Sequence, residues 1–292
     1  MAANGILIID KPQGWTSMDV CAKLRGALGE RRIGYAGTLD PMATGVLPIF
    51  VGRATRAVEF ATEGEKEYVA SLRLGVTTNT QDITGQVLAE RPFLGTQTDL
   101  EEVLSQFRGE ILQTPPMYSA IKVGGKKLYE LARKGREVER PSRPVTIHSL
   151  TLEGRDNVGD YVLRVHCSKG TYVRTLCHDI GQALGCGGCM SALQRTMACG
   201  FTLADALPLE QVLQAADPTS LLLGVDTFFA GRPILLLKPP AEKKVRNGMS
   251  LDITGVSDGE YRVYSQDQEF LALSRVSQGK LTTIKSFFQI ST

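Results

Sequence analysis

The chain has 292 residues, 42% hydrophobic and 22% charged, which is an ordinary globular composition with room for two domains. A formal net charge of +2 does not by itself mark a nucleic-acid binder, and no run approaches the roughly 18 consecutive apolar residues of a membrane helix. The six cysteines (21, 167, 177, 186, 189 and 199) are scattered and none follows residue 199, a pattern of reduced cytoplasmic thiols more than of a disulfide framework.

Gly5 to Ile9 reads as a buried strand, too short an apolar run for a secretion signal and without a basic start. Thr16 or Ser17 then caps a predicted helix whose Val20, Cys21, Leu24 and Leu28 recur on one face. The stretch from Gly34 to Gly45 reads as a structured loop that presents one carboxylate, Asp40, from uncharged surroundings. Glycines at 34, 37 and 45 allow tight turns, and Pro41 biases Asp40 toward extended angles. An Asp-Pro turn and a catalytic acid both fit these residues. Val46 to Val51 returns as a strand, and Arg53 to Ala61 as a short helix. Lys66 to Leu74 alternates as a strand with Tyr68, Ala70, Leu72 and Leu74 on its inward face. The polar loop from Thr77 to Gly85 holds a second isolated acid, Asp82. A helix over 98–107 is predicted to open on a Thr98/Glu101 capping box.

Pro115 to Tyr118 opens a basic segment. Between Lys122 and Arg174 twelve bases face six acids, an excess of six on an otherwise near-neutral chain. Gly124-Gly125 reads as a hairpin turn and Leu128 to Lys134 as a short helix ending at Gly135. Lys122, Lys126, Lys127, Arg133 and Lys134, interleaved with Tyr118 and Tyr129, look like a clamp for a polyanion; a solvated basic face is the plainer alternative. Tyr161 to Ser168 reads as a strand, and Thr171 as the cap of a helix carrying Val173, Leu176, Ile180 and Leu184. Arg174 lies in that helix's first turn, where the dipole disfavours a cation unless an anion is near. Ser191 to Thr196 reads as a short strand, and 207–227 as a helical connector broken at Asp217-Pro218. From Arg232 onward, short strands and turns at Asn247-Gly248 and Asp258-Gly259 suggest a small β domain of the compact-barrel kind.

Cofactor and metal signatures are missing from the sequence: no phosphate loop, no dinucleotide fingerprint and no zinc pattern among the three histidines. Cys186 and Cys189 have zinc or redox spacing without a second pair or a neighbouring His. Chemistry in such a chain is expected to run on side chains alone, with no cofactor and no metal.

Four stretches, in order, match one family. They are Gly5 to Pro12 with Thr16-Ser17; Gly37-Thr38-Leu39-Asp40-Pro41 through Leu47; Lys66-Glu67-Tyr68 with Leu74-Gly75 through Asp82; and Gly170-Thr171-Tyr172-Val173-Arg174-Thr175-Leu176. On these motifs the chain resembles the bacterial TruB family of tRNA pseudouridine synthases, which act on the uridine at position 55 in the T-loop. The resemblance implies an α+β catalytic domain over 1–227. Its mixed, mainly antiparallel sheet would be flanked by helices, with an RNA-gripping thumb at about 115–143. A small PUA-like RNA-binding β-barrel would follow over 228–292.

The same resemblance implies Asp40 as the acid acting at the ribose, as nucleophile or as base, with Arg174 as its ion-pair partner and Tyr68 stacked on the uracil. Tyr35, Tyr172, Leu193 and Asp82 would contact or wall the flipped nucleotide. The family usually has His where this chain has Tyr35. The implied partner is the T-arm stem-loop of tRNA, gripped by the thumb without a guide RNA or a membrane, by a cytoplasmic protein expected to be a monomer. A catalytically silent tRNA-binding or tRNA-folding protein is the alternative from another class. A nucleoside or glycoside hydrolase would need a second carboxylate, for which Asp82 is the only neighbour on offer.

Overall fold

The computed structural model describes residues 3–288. In chain order its main elements are β1 (Gly5–Lys11), α1 (Ser17–Leu28), β2 (Thr44–Val51), β3 (Lys66–Leu74), α2 (Gln97–Ser105), β4 (Gly109–Gln113), β5 (Arg143–Arg155), β6 (Tyr161–Cys167), α3 (Val173–Ala183) and β7 (Gly188–Ala198). They build one mixed sheet in the order Leu207–Pro208, β1, β2, β7, β3, β6, β5, β4. The bridge from Leu207–Pro208 to β1 and the β2–β7 pairing are parallel, and the other neighbours along this order run antiparallel. This is an α+β architecture.

β1 is interior because Ile6, Leu7, Ile8 and Ile9 are all buried, two on each face. It pairs with β2 over seven residues, from Gly5 opposite Val51 to Lys11 opposite Gly45. α1 begins where Thr16 accepts from the Asp19 amide while the Asp19 side chain returns to the Thr16 amide. Its Val20, Cys21, Leu24 and Leu28 pack into the core with Leu7, Ile9, Tyr68, Leu72, Leu176 and Ile180. The parallel contact of β2 with β7 sets Thr44 beside Gln194 and Gly45 beside Arg195. The antiparallel contact of β7 with β3 sets Arg195 opposite Tyr68. The loop before β2 therefore ends next to the inward face of β3.

Four local expectations differ from the structure. α2 starts two residues early, on a Thr96/Asp99 capping box, which leaves Thr98 and Glu101 inside the first turns; two similar boxes lie two residues apart, and only packing chooses between them. α3 is capped at Tyr172 with no side-chain bond, while the Thr171 hydroxyl donates to the Ser168 carbonyl. β7 spans eleven residues, because irregularities between Met190 and Ala192 and between Arg195 and Met197 interrupt the alternation that would have revealed it. The 207–227 connector holds only the six-residue helix Leu209–Gln214 and short 3-10 turns.

In the C-terminal part, five strands form one sheet in the order Ile234–Leu236, Gly259–Tyr264, Phe270–Ser277, Lys280–Ser286, Leu251–Asp252, with the helix Pro239–Arg246 packed against it; among the described residues this sheet makes half of a barrel. Its own core holds Leu237, Val245, Leu251, Val263, Leu271 and Val276. Leu273 and Phe287 pack instead with Ile6 and Phe50 of the larger sheet, Ala57 of the 3-10 turn Gly52–Ala57 and Phe229 of the 3-10 turn Val225–Phe229. Phe229 has its ring 5.6 Å from Phe60 of the helix Val58–Glu63 and 5.7 Å from Phe287, just past the last strand, so an aromatic seam ties the C-terminal unit to that helix.

Candidate active site

The Asp40 loop is held from three sides. Lys11, fully buried, donates its ammonium to the carbonyls of Pro12 at 2.8 Å, Trp15 at 2.6 Å and Pro41 at 3.4 Å. Burial lowers its pKa to about 8 despite the nearby Asp40 carboxylate. Ser17, at the start of α1, accepts from the Leu39 amide at 2.9 Å and donates to the Leu39 carbonyl at 3.3 Å. Arg195, also fully buried, donates to the carbonyls of Val46 at 2.7 Å and Gly37 at 3.0 Å. Gly45 must lack a side chain here: its φ is +99°, and a Cβ would sit 2.2 Å from the Arg195 carbonyl. The Asp40 carbonyl closes the turn by accepting from the Ala43 amide at 3.0 Å.

The carboxylate on this loop meets a guanidinium delivered by α3. Arg174 Nε lies 2.9 Å from Asp40 Oδ2 and Nη2 lies 3.3 Å from Oδ1, a two-point contact that fixes the plane of the acid. Nη1 reaches Asp82 Oδ2 at 3.5 Å and the Thr80 carbonyl at 3.2 Å, and Nη2 also donates to the Tyr118 carbonyl at 3.0 Å. Two carboxylates and two carbonyls thus hold a cation that the helix dipole alone would disfavour. Asp82 is itself fixed, its Oδ1 accepting from the Thr84 amide at 2.9 Å and the Thr80 hydroxyl at 2.9 Å. The side chains of Arg174 and Asp82 are each 7% exposed, whereas that of Asp40 is 35% exposed. Asp40 is the one member of the trio open to an incoming molecule. Burial pushes its carboxyl above the ordinary carboxylate range, aided by the Asp82 charge and opposed by Arg174 and Lys11.

Tyr68 is 8% exposed on β3, and burial raises its phenol pKa, with the adjacent Arg195 charge opposing. It stays a neutral phenol across the physiological range and offers a ring face and a hydroxyl. Leu193, 9% exposed, lies on β7 opposite Ala70. Tyr172, half-buried at the start of α3, also has its phenol raised by burial. Tyr35 ends the short strand Ile33–Tyr35, opposite Ile49 of β2, and packs its ring against the main core. The charges of Asp40 and Arg174 act on the Tyr172 phenol, and that of Asp40 on the Tyr68 phenol.

The five bases lie on a short hairpin and on and just beyond the helix that follows it. Gly124 and Gly125 turn with positive φ between the two-residue strands Lys122–Val123 and Lys126–Lys127, and the helix Leu128–Ala132 follows. Leu128 alone is fully buried there, while Lys122, Lys126, Arg133 and Lys134 are exposed. Lys127 and Arg133 each sit 5.4 Å from the Tyr129 ring centre, two cation–π contacts on one ring.

Two residues of the cradle, Lys11 and Arg195, were not singled out as site residues by the sequence. Lys11 lies in the first matched stretch, but Arg195 belongs to no motif and bonds backbone carbonyls far from it in sequence. Its remaining nitrogen, Nη2, has no hydrogen-bond partner among the described residues and belongs to the side chain that faces Tyr68 across the β3–β7 pairing. Among the described residues all six cysteines are free thiols, no cluster could hold a metal ion, and no helix is long and apolar enough to cross a membrane.

Comparison with known proteins places the chain in a family. Residues 25–173 match the model of the TruB family pseudouridylate synthase (N terminal domain), and residues 174–226 that of the tRNA pseudouridylate synthase B C-terminal domain. The tRNA pseudouridine synthase B of Clostridium kluyveri is 42% identical over 97% of this chain and 99% of its own length. That of Francisella tularensis subsp. novicida is 40% identical over 98% of this chain and 95% of its own. The chain belongs to the TruB family. Solved structures of an H/ACA RNP bound to a substrate RNA containing 2'-deoxyuridine and of a Cbf5-Nop10-Gar1 complex each contain a chain that shares the fold. The TM-score is 0.73 in both cases, at 23% and 24% identity, covering 99% and 98% of this chain and 86% of each of theirs.

Proposed function

We propose that the protein is a tRNA pseudouridine synthase that isomerises the uridine at position 55 in the T-loop, without a guide RNA. The carrying observation is the pairing of a single partly exposed carboxylate, Asp40, with a buried and otherwise fully committed Arg174. The reaction breaks the bond from C1′ to N1 of uracil, turns the base, and joins C1′ to C5. The C5 proton leaves and N1 gains one, so no oxidant or reductant is consumed. The base must first leave the stack of the T-loop.

Asp40 acts at the ribose in its ionised form, as nucleophile on C1′ or as base on the sugar. Arg174 holds that carboxylate in plane and favours its charge. Tyr68 offers its ring to the flipped uracil, and its neutral hydroxyl is available to the base when the C5 proton is lost. Tyr172 and Leu193 wall the pocket, Tyr35 contacts the substrate where relatives use His, and Asp82 orients Arg174 from behind. The thumb, with Lys122, Lys126, Lys127, Arg133 and Lys134, grips the stem phosphates. Residues 1–227 form the catalytic domain in this reading, and 228–292 a PUA-like RNA-binding domain.

The test is incubation with an isolated T-arm hairpin followed by carbodiimide-probed primer extension. A stop at the loop uridine is expected with the unaltered protein and none with Asp40→Asn. Tight binding without a stop would favour the silent RNA-binding protein.

A further inference from the structure

Gln113 is the last residue of β4 and the only one of its five that is buried, at 2% exposure. A buried carboxamide needs partners for both its oxygen and its nitrogen. Here the oxygen accepts from the Tyr172 amide at 2.7 Å and the nitrogen donates to the Tyr172 carbonyl at 3.1 Å. The side chain thus stands in for a neighbouring strand, and it fixes the residue from which α3 starts. Tyr172 supplies no side-chain cap of its own to that helix.

Two residues into α3, Arg174 holds Asp40 and also donates to the Tyr118 carbonyl. Tyr118 lies five residues beyond Gln113, across the buried pair Pro115-Pro116, whose fixed φ angles leave the connecting chain little freedom. The contacts close a ring: Gln113 to the Tyr172 backbone, the first turn of α3 to Arg174, Arg174 to Tyr118, and the chain back to Gln113. This ring sits at the neck of the basic segment, where the hydroxyls of Thr114 and Ser142 meet at 2.7 Å. Nη2 of Arg174 is shared between Tyr118 and Asp40, so a displaced neck changes how Asp40 is held.

We propose that Gln113 is a positioning residue that ties the seating of the thumb to the placement of Arg174 on Asp40. The proposal rests on the isomerase reading and adds to it a residue that touches neither substrate nor the reacting acid.

The test compares Gln113→Met, which keeps length and removes both bonds, with a Pro115→Gly/Pro116→Gly variant that loosens the neck. Three quantities are read: the single-turnover rate at saturating T-arm hairpin, the hairpin Kd, and the titration of the Asp40 carboxyl by carbon-13 NMR without RNA. In the folded protein that carboxyl faces Arg174, Asp82 and Lys11. Gln113→Met is expected to slow the single-turnover rate about 10- to 100-fold, the scale of an ångström misplacement at a reacting centre, with Kd changed less than about threefold. The Asp40 titration is expected to move, and the neck variant to show the same signature. Combining the two should cost less than the product of their separate effects.

A Gln113→Met protein that only melts earlier, with rate and Asp40 titration unchanged, would overturn the proposal, as would a rise in Kd alone. Should Gln113→Met not fold, the neck variant decides by the same criteria. Failure of the unaltered protein to modify the hairpin would count against the isomerase reading, and the RNA-free titration would still judge Gln113.

Discussion

The loop that carries Asp40 and the segment that carries the thumb bases both present charge to solvent, and they are built in opposite ways. Around Asp40, two fully buried cations and a buried serine satisfy the backbone of one short loop, so that the carboxylate is aimed before any ligand arrives. In the basic segment two-residue strands and a five-residue helix expose long side chains over a single buried leucine. The difference fits what the proposed function asks of each. A reacting group needs placement to a fraction of an ångström, which takes many bonds to a fixed scaffold. A phosphate grip needs charge and reach, which few internal contacts leave free.

The contrast breaks most sharply on chemistry. Asp40→Asn should lower the single-turnover rate by at least about 10³-fold while changing the hairpin Kd little, because the amide cannot act at the ribose. No single thumb substitution should approach that loss. The cradle is tested next by stability. Lys11→Met or Arg195→Met leaves two or three buried carbonyls without donors, and urea unfolding should show a loss of about 2–4 kcal/mol. Arg133→Gln, on the exposed segment, should stay within about 0.5 kcal/mol of the unaltered protein.

The pH profile sharpens the same point. Asp40's carboxyl is raised by burial and by the Asp82 charge, and in the proposed reaction the working form is the carboxylate. Activity should therefore fall as pH drops through a value above that of an ordinary aspartate. Removing the Asp82 charge with Asp82→Asn takes away one raising influence, so the acid limb should move to lower pH. Rates measured across the acid range in both proteins check the direction. The smallest effect belongs to the thumb. Changing Lys126, Lys127 and Arg133 to Gln should weaken hairpin binding with the saturated rate unchanged. The slope of log affinity against log salt should flatten by up to about 0.7–0.9 for each phosphate that is no longer neutralised.

How far the sequence foretold this depends on the range of the interactions involved. β3 was readable to its end residues because period-two alternation is local, and α1 because its cap and its apolar stripe agree. β7 was seen only as a fragment, since two irregularities break its alternation, and α2 slipped by two residues between two competing caps. Strand content announced the C-terminal β unit, but closure into a barrel depends on tilt and pairing that composition does not encode. Among the site residues, Asp40, Tyr68 and Arg174 stood out through the motifs that surround them. Arg195 and Gln113 did not, because their partners are backbone atoms of residues 37, 46 and 172, and a side chain that binds backbone leaves no pattern of paired residue types.

Tritium release from a T-arm hairpin labelled at uridine C5 tests the central claim most directly, because joining C1′ to C5 expels that hydrogen into water. The unaltered protein should release one tritium for each hairpin converted, and Asp40→Asn should bind the hairpin and release none. A bound hairpin that keeps its label with the unaltered protein, or release at an undiminished rate by Asp40→Asn, would contradict it.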